Sequence, residues 1–185
     1  MKIGIPTSTN KVFLIGMLFA VPLLLTTGFY FLSPHQKVPG PMELGLVSGL
    51  LIASGLLAVA TCACMLARRS VELTGDEIVL KHSFYTLRLR REAMQAPVIS
   101  CTDDIRSLGI AIKTNGIAAF GYYSGWFNAT DGQPIFLAIS GAPIVVLRFA
   151  GHPTCSVLAL SASDALQAKL AAWLVQGSAP SGRPG

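Results

Sequence analysis

The sequence is poor in charged residues, and its two longest uncharged runs set its organisation. Charged side chains make up 12% of the 185 residues, and neither Val12–Leu32 nor Leu44–Ala67 contains one. At about 1.5 Å per residue, a helix over the first run is roughly 31 Å long, which matches the hydrocarbon core of a bilayer. A segment in lipid must satisfy its own backbone hydrogen bonds, so we expect two transmembrane helices.

A connector at Ser33–Glu43, rich in proline, is short enough to make the two helices an antiparallel hairpin. A secretory signal peptide is the alternative for the first run, but no small-x-small cleavage site follows it. Four basic residues flank the outer ends of the pair, whereas the connector carries only Lys37. The positive-inside tendency therefore predicts that both termini are cytoplasmic. The four flanking residues are Lys2, Lys11, Arg68 and Arg69.

Small residues recur at four-residue spacing on the second predicted helix. Gly45, Gly49 and Ala53 lie on one line, and Ser54, Ala58 and Cys62 lie on a neighbouring line. Small residues on one face let another helix approach closely. The partner is either the first helix or a helix of another chain, unless the pattern only reflects the composition of membrane helices.

Motifs for catalysis and for metal binding are missing. The sequence has no G-x-S-x-G, H-E-x-x-H or phosphate-binding loop, and none of its four cysteines forms a C-x-x-C pair. His82 and His152 are not spaced as ligands with the cysteines. We therefore expect no enzymatic activity, no cofactor and no metal site.

From Ser70 onward, alternating polar and apolar residues predict about seven closely spaced strands without intervening helices. Such spacing suggests an antiparallel sandwich or barrel. Ser161–Asp164 then begins a helix whose apolar stripe is Leu166, Leu170, Trp173 and Leu174. Eight segments are candidates for these strands, namely Val71–Leu73, Glu77–Lys81, Tyr85–Arg90, Ser107–Lys113, Ile117–Tyr122, Pro134–Ser140, Ile144–Phe149 and Ser156–Leu160, with turn signals at Asn115-Gly116, Asp131-Gly132 and Gly141–Pro143.

The predicted organisation is thus an N-terminal leader (1–11), a transmembrane helical hairpin (12–67), a domain of the α+β class (68–176) and a disordered tail (177–185). Several features of the domain resemble one family. They are Ile105-Arg106 with Gly109, the stretch Gly121–Phe127, the turn at Asp131-Gly132, and Leu160-Ser161 leading to Asp164. Together they resemble the bacterial pleckstrin-homology (PH)-like membrane proteins. The resemblance implies a small β-barrel or sandwich closed by a C-terminal helix, and location in a prokaryotic plasma membrane.

Six basic residues are candidates for contact with an anionic membrane surface. Arg68 and Arg69 directly follow the second apolar run, where each cation near anionic lipid contributes ~1 kcal/mol. The alternative is that Arg68 and Arg69 only set the topology and that the others cover a solvated sheet face. The six are Arg68, Arg69, Lys81, Arg88, Arg90 and Arg91.

In Gly121–Phe127, glycines bracket a cluster of aromatic residues. As an exposed loop, this stretch would contact lipid headgroups or a partner protein, for which Tyr and Trp are favoured. As part of a strand, its glycines would form a bulge and its rings would fill the core, which is the interpretation we favour. The candidate contact residues are Tyr122, Tyr123, Trp126 and Phe127.

These patterns predict a non-catalytic binding or scaffolding module held at the membrane. Its expected partners are the lipid bilayer and another membrane protein or a second copy of the chain. The alternative is an accessory subunit or assembly factor of a larger membrane complex, contacted through the second transmembrane helix. Basic and acidic residues are nearly balanced from Arg68 to Gln176, so no nucleic-acid partner is expected.

Overall fold

The structure is a computed structural model that describes residues 1–32 and 41–177, and the fold is α+β. Two long helices precede most of the strands, and a third helix follows them. Two short 3-10 turns lie at Arg91–Ala93 and Ile105–Leu108. The elements in chain order are β1 (Lys2–Gly4), α1 (Thr9–Leu32), α2 (Pro41–Ala67), β2 (Arg69–Leu73), β3 (Glu77–His82), β4 (Tyr85–Arg90), β5 (Gln95–Thr102), β6 (Ile110–Ala119), β7 (Tyr122–Ala129), β8 (Pro134–Ile139), β9 (Ile144–Ala150), β10 (Val157–Ser161) and α3 (Asp164–Gly177).

The strands form two sheets that share one hydrophobic core. The first sheet has the order β1-β2-β3-β4, and the second has the order β5-β9-β10-β8-β7-β6. Leu80 and Leu89 of the first sheet are fully buried in the same cluster as Phe136 and Leu158 of the second. A smaller cluster, which includes Phe127 and Leu137, covers the opposite face of the second sheet. The central strands β8, β9 and β10 of the second sheet are therefore buried on both sides, whereas its edge strands β5 and β6 are largely exposed.

The predicted C-terminal helix is confirmed. The Ser163 hydroxyl accepts a hydrogen bond from the amide of Leu166 at 3.4 Å, as an N-cap residue does. Leu166, Leu170 and Trp173 are buried in the main core, and Leu174 packs against it. The apolar stripe thus faces the two sheets, and α3 completes the core.

The first strand lies in the segment that the sequence predicts to be a leader. β1 pairs antiparallel with β2, with Ile3 opposite Val71. A three-residue strand that carries a lysine has too few apolar positions to be recognised from the pattern. Its pairing brings the chain before α1 and the chain after α2 into one sheet.

Other predictions about the domain are wrong in detail. Within the described residues the sheets do not close into a barrel, the domain has nine strands (β2 to β10) instead of about seven, and β8 and β10 are parallel. The sequence pattern does not predict β5 because Pro97 interrupts its alternation. An edge strand tolerates proline, and the register of β5 shifts between Gln95 and Val98. Asn115-Gly116 is not a turn but lies inside β6 at a register irregularity.

The helix boundaries also differ from the predicted runs. α1 begins at Thr9, and α2 begins at Pro41, a residue suited to the first turn of a helix. The rest of the predicted connector and the predicted tail after Gly177 lie outside the described residues.

Candidate functional site

The helices meet the domain at a small buried cluster, which we call the junction. Val12 and Ile15 of α1, Met65 of α2 and Tyr122 of β7 form it, and each is almost fully buried. The outer ends of both helices therefore pack directly on the second sheet. No separate linker intervenes, since Ala67 ends α2 and Arg69 begins β2.

A buried polar group lies beside the junction. His82 stacks on the ring of Tyr122 at 5.2 Å between centroids, and its Nδ1 lies 2.8 Å from the Ser124 hydroxyl. The Ser124 hydroxyl also donates to the carbonyl of His82, so both bonds are satisfied when Nδ1 carries the proton. The Ser83 and Tyr122 hydroxyls are 2.5 Å apart. These bonds tie the β3–β4 turn to β7.

Burial makes this histidine a neutral group. Removal from water lowers the pKa of His82 to about 4, and no described residue offers a partner to its Nε2. Although an imidazole lies against a hydroxyl here, both side chains are fully buried, so no substrate can reach the pair. The arrangement connects structural elements, and we assign it no catalytic role.

The aromatic candidates lie on β7 and not on an exposed loop. Tyr122 and Phe127 are buried, so neither is available to a partner. Trp126 is half-buried and packs edge-on against Phe136, with 5.0 Å between centroids. Tyr123 is half-buried and contacts Phe127. The structure thus places these rings in the cores, as in the interpretation that we favoured.

The backbone of β7 requires a glycine at position 125. Its φ is +112°, and a Cβ atom there would lie 2.5 Å from the Asn115 carbonyl oxygen and 2.8 Å from the Gly116 Cα. Both of these neighbours are backbone atoms of β6, which cannot move aside like a flexible side chain. The glycine therefore permits β6 and β7 to approach closely at the bulge.

The six basic candidates do not converge on one surface. Arg68 and Arg69 lie at the helix end, where the Arg68 guanidinium donates to the Thr86 hydroxyl at 2.7 Å. Lys81 is paired with Glu72 at 3.2 Å. These three cations lie near the junction, but one of them is already neutralised.

The remaining three basic candidates are far from α1 and α2. Arg90 lies roughly 17 Å along β4 from Tyr85, at about 3.3 Å per residue, and pairs with Glu92 at 3.5 Å. Arg88 and Arg90 line a polar cleft of about 630 Å³ together with Asp76 and Glu77. Arg91 packs its guanidinium 3.9 Å from the centre of the Trp173 ring and donates to the Trp173 carbonyl. The outer face of the first sheet therefore carries charges of both signs.

Of the two lines of small residues on α2, one packs against α1, and the glycines of the other face open space among the residues that the structure describes. Cys62 lies opposite Gly16 of α1, where a Cβ atom would meet its sulfur, and its thiol points to the Val12 carbonyl at 3.6 Å. At Gly45 and Gly49, by contrast, an added Cβ atom would meet no described atom within 4 Å. The line that includes Ala53 is thus open.

Two strands form the edges of the second sheet, namely β5 and β6. Both carry register shifts, which disfavour uncontrolled pairing with other chains. Val98 on β5 and Ile112 on β6 are large apolar residues exposed on these edges. A partner strand would find apolar contacts here that the sequence pattern does not single out.

Two exposed phenylalanines near the junction were also missed. Phe84 lies in the β3–β4 turn, and Phe120 lies in the β6–β7 turn directly before the aromatic stretch. Because the sequence suggested a turn at Asn115-Gly116, Phe120 was read as part of a strand. The useful signal was Phe120-Gly121, a short break between two alternating segments.

In residues 1–32 and 41–177, no group of three or more His, Cys, Asp and Glu side chains is placed to hold a metal ion. The candidate site consists of a pair of apolar helices packed on the second sheet, two sheet edges and a mixed-charge face.

No protein-family model matches the chain, and neither a curated protein nor a solved structure is significantly similar to it.

Proposed function

We propose that the chain is a non-catalytic binding or scaffolding module, anchored by a helical hairpin that crosses the plasma membrane of a prokaryote. α1 and α2 are long and apolar enough to span a membrane. The proposal rests on the exposure of their apolar side chains, because only 19% and 6% of the two spans are buried within the chain. Surfaces this apolar are stable where the surrounding solvent is lipid.

The β1–β2 pairing supports a hairpin with both outer ends on one side. Ile3 and Val71 are opposite each other in one sheet, so the chain before α1 and the chain after α2 are held together. A cleaved signal peptide fits poorly, because its removal would take away β1 and the junction residues Val12 and Ile15. The flanking basic residues favour the cytoplasm as the side of the domain.

The binding role is proposed for the edges of the second sheet. An extended segment of another membrane protein, or of a second copy, would add to β5 or β6 and cover Val98 or Ile112. Tyr122 and Phe127 of the aromatic stretch are buried and are therefore not part of this proposed binding surface. The resemblance to bacterial PH-like membrane proteins stays a prediction about the family and does not carry this proposal.

A second candidate is supported by the open line on α2. As an accessory subunit or assembly factor, the chain would use Gly45, Gly49 and Ala53 to pack against a helix of a larger complex. The space around the two glycines favours this alternative, since no described residue of the chain fills it.

Purification of the full chain in mild detergent, with identification of what accompanies it, tests both candidates. Replacement of Val98 and Ile112 by Lys should abolish recovery of the partner if the sheet edges bind it. Replacement of Gly45 and Gly49 by Leu should abolish recovery if α2 binds it, and each pair serves as the control for the other. A chain that is recovered alone and monomeric contradicts both candidates.

A further inference from the structure

Phe120 occupies the tip of the β6–β7 hairpin in an unusual conformation. Phe120 and Gly121 form the two-residue turn between Ala119 and Tyr122, with φ values of +52° and +70°. Such turns favour Asn or Gly, and a bulky residue at positive φ is uncommon. The ring is nevertheless 52% exposed. A disfavoured residue held outward at a tip suggests that the side chain contacts something outside the domain.

Phe84 occupies a second tip at the same end of the domain. It follows Ser83, whose φ is +52°, in the turn between β3 and β4, and its side chain is 48% exposed. The amide of Ser83 donates to the carbonyl of Arg68 at 2.9 Å, and its hydroxyl bonds to Tyr122. The backbone of this tip is therefore fixed directly beneath the end of α2.

Both tips lie near the start of α1 and the end of α2. The Lys11 ammonium donates to the carbonyl of Gly121 at 3.1 Å, one residue after Phe120. On the strands that end at this tip, Ala119 and Tyr122 pack with Val12 and Ile15 of α1. Phe120 is thus beside the first turns of α1, as Phe84 is beside the last residues of α2.

We propose that Phe84 and Phe120 insert into the interfacial layer of the bilayer beside the hairpin. This inference rests on the proposed membrane anchor. The two rings would then add two contacts with the bilayer beside the hairpin, which would restrict tilting of the domain. Lys11, Arg68 and Arg69 lie at the same level, where cations meet anionic headgroups. An apolar ring flanked by cations at the membrane edge is the usual chemistry of interfacial attachment.

A bilayer is favoured over a protein partner by continuity with the helices. Phe13 and Leu14 of α1 are large exposed apolar residues, and they closely follow Lys11, which contacts the Phe120 tip. At the opposite end of β6, Ile112 is 62% exposed and roughly 26 Å from Phe120, at about 3.3 Å per residue. Ile112 lies on the same strand but away from the helices, so it provides a matched control position.

The test measures tryptophan quenching by brominated lipids in vesicles that contain the full chain. Single variants Phe84→Trp, Phe120→Trp, Ile112→Trp and Phe29→Trp are compared with the unmodified chain, whose Trp126 and Trp173 give the background. The tip variants should lose added emission in brominated lipid, nearly as much as Phe29→Trp within α1. Ile112→Trp should lose none.

Separate outcomes overturn the two proposals. If Phe29→Trp is quenched and neither tip variant is, the tips do not enter the bilayer but the anchor stands. If Phe29→Trp is not quenched either, the anchor itself is wrong. Equal quenching of Ile112→Trp and the tips would also contradict the inference, because contact would not be confined to the junction end.

A measurement on the unmodified chain covers the case in which a tryptophan variant does not fold. In nanodiscs that contain a paramagnetic headgroup lipid, the amide signals of Phe84 and Phe120 should broaden strongly, whereas that of Ile112 should not. Unbroadened signals at both tips would refute the insertion.

Discussion

Large apolar side chains are exposed on the two long helices but buried in the β-domain. On α1 and α2, side chains such as Phe29 and Leu57 point outward, whereas in the domain Phe136 and Leu158 are fully buried. A single solvent cannot favour both arrangements, since exposed apolar area is unfavourable in water. The difference is what we expect if lipid surrounds the proposed hairpin and water surrounds the domain, with the junction as the boundary between them.

The largest expected difference is between two phenylalanines. Phe136→Ala removes a fully buried ring and should lower the free energy of unfolding by about 3–5 kcal/mol. Phe29→Ala removes a ring that is 79% exposed on α1 and should change it by less than about 0.5 kcal/mol. Denaturant unfolding of the chain in nanodiscs, followed by tryptophan emission, measures both. Similar losses would show that Phe29 is packed within protein.

An arginine introduced on α2 should have a much larger effect than an arginine introduced on the exposed face of α3. Leu57→Arg near the middle of α2 should oppose membrane insertion by about 3 kcal/mol, because a charged side chain is costly at the centre of a bilayer. Val175→Arg on the exposed face of α3 should change stability by only about 0.5 kcal/mol or less. The fraction retained in membranes after an alkaline wash reports the first effect. Full retention of Leu57→Arg would argue against a spanning helix.

The junction should give the domain an acid-sensitive stability. The pKa of His82 is about 4 in the folded chain and about 6.5 when unfolded, so the unfolded state binds the proton more readily. The contribution is complete above about pH 6.5, decreases as the pH falls towards 4, and amounts to roughly 3 kcal/mol. The difference in unfolding free energy between the unmodified chain and His82→Gln, measured from pH 4 to 8, isolates it from the carboxylates. A difference that is independent of pH would contradict the burial of a neutral imidazole.

The smallest expected effect separates two arginines that the sequence grouped together. Arg91→Ala removes both the contact with the Trp173 ring and a hydrogen bond, and should cost about 2 kcal/mol. Arg88→Ala removes an exposed cation on the outer sheet face and should cost about 0.5 kcal/mol or less. Thermal unfolding of both variants measures the split. Binding to anionic vesicles should be the same for both, because neither arginine lies near α1 or α2.

Local patterns predicted the helices and most strands, since each depends on the period of nearby residues. The apolar stripe of α3 and the alternation of Tyr85–Arg90 are examples, and both face the core as expected. The pattern could not reveal β1, because a three-residue strand gains its stability from its partner β2. The parallel pairing of β8 with β10 likewise depends on contacts between distant segments.

The candidate site was harder to predict because exposure is a property of the fold. Six cations close in sequence were treated as one group, yet Arg69 and Arg91 lie at opposite ends of the first sheet. The sequence shows a cluster of aromatic residues in β7, but Tyr122 and Phe127 are buried there and cannot contact a partner. Phe84 and Phe120 are isolated in sequence, and only the meeting of two hairpin tips at the junction relates them.

The proposed function depends on α1 and α2 crossing the membrane as a hairpin with both outer ends on one side. Native Cys101 is exposed on β5, and Asn10→Cys and Gln36→Cys provide two further positions when made in a Cys101→Ser background. Burial raises the pKa of the Cys155 thiol to about 11, so it should not react, and Cys101→Ser alone gives the background of Cys62 and Cys64.

The most direct measurement is labelling of these thiols with a reagent that cannot cross the membrane. In intact cells, whose outer membrane is made permeable where there is one, only position 36 should react. Position 10 and Cys101 should react together once the plasma membrane is opened. Reaction of position 10 and Cys101 from opposite sides, or of all three from the same side, would contradict the account.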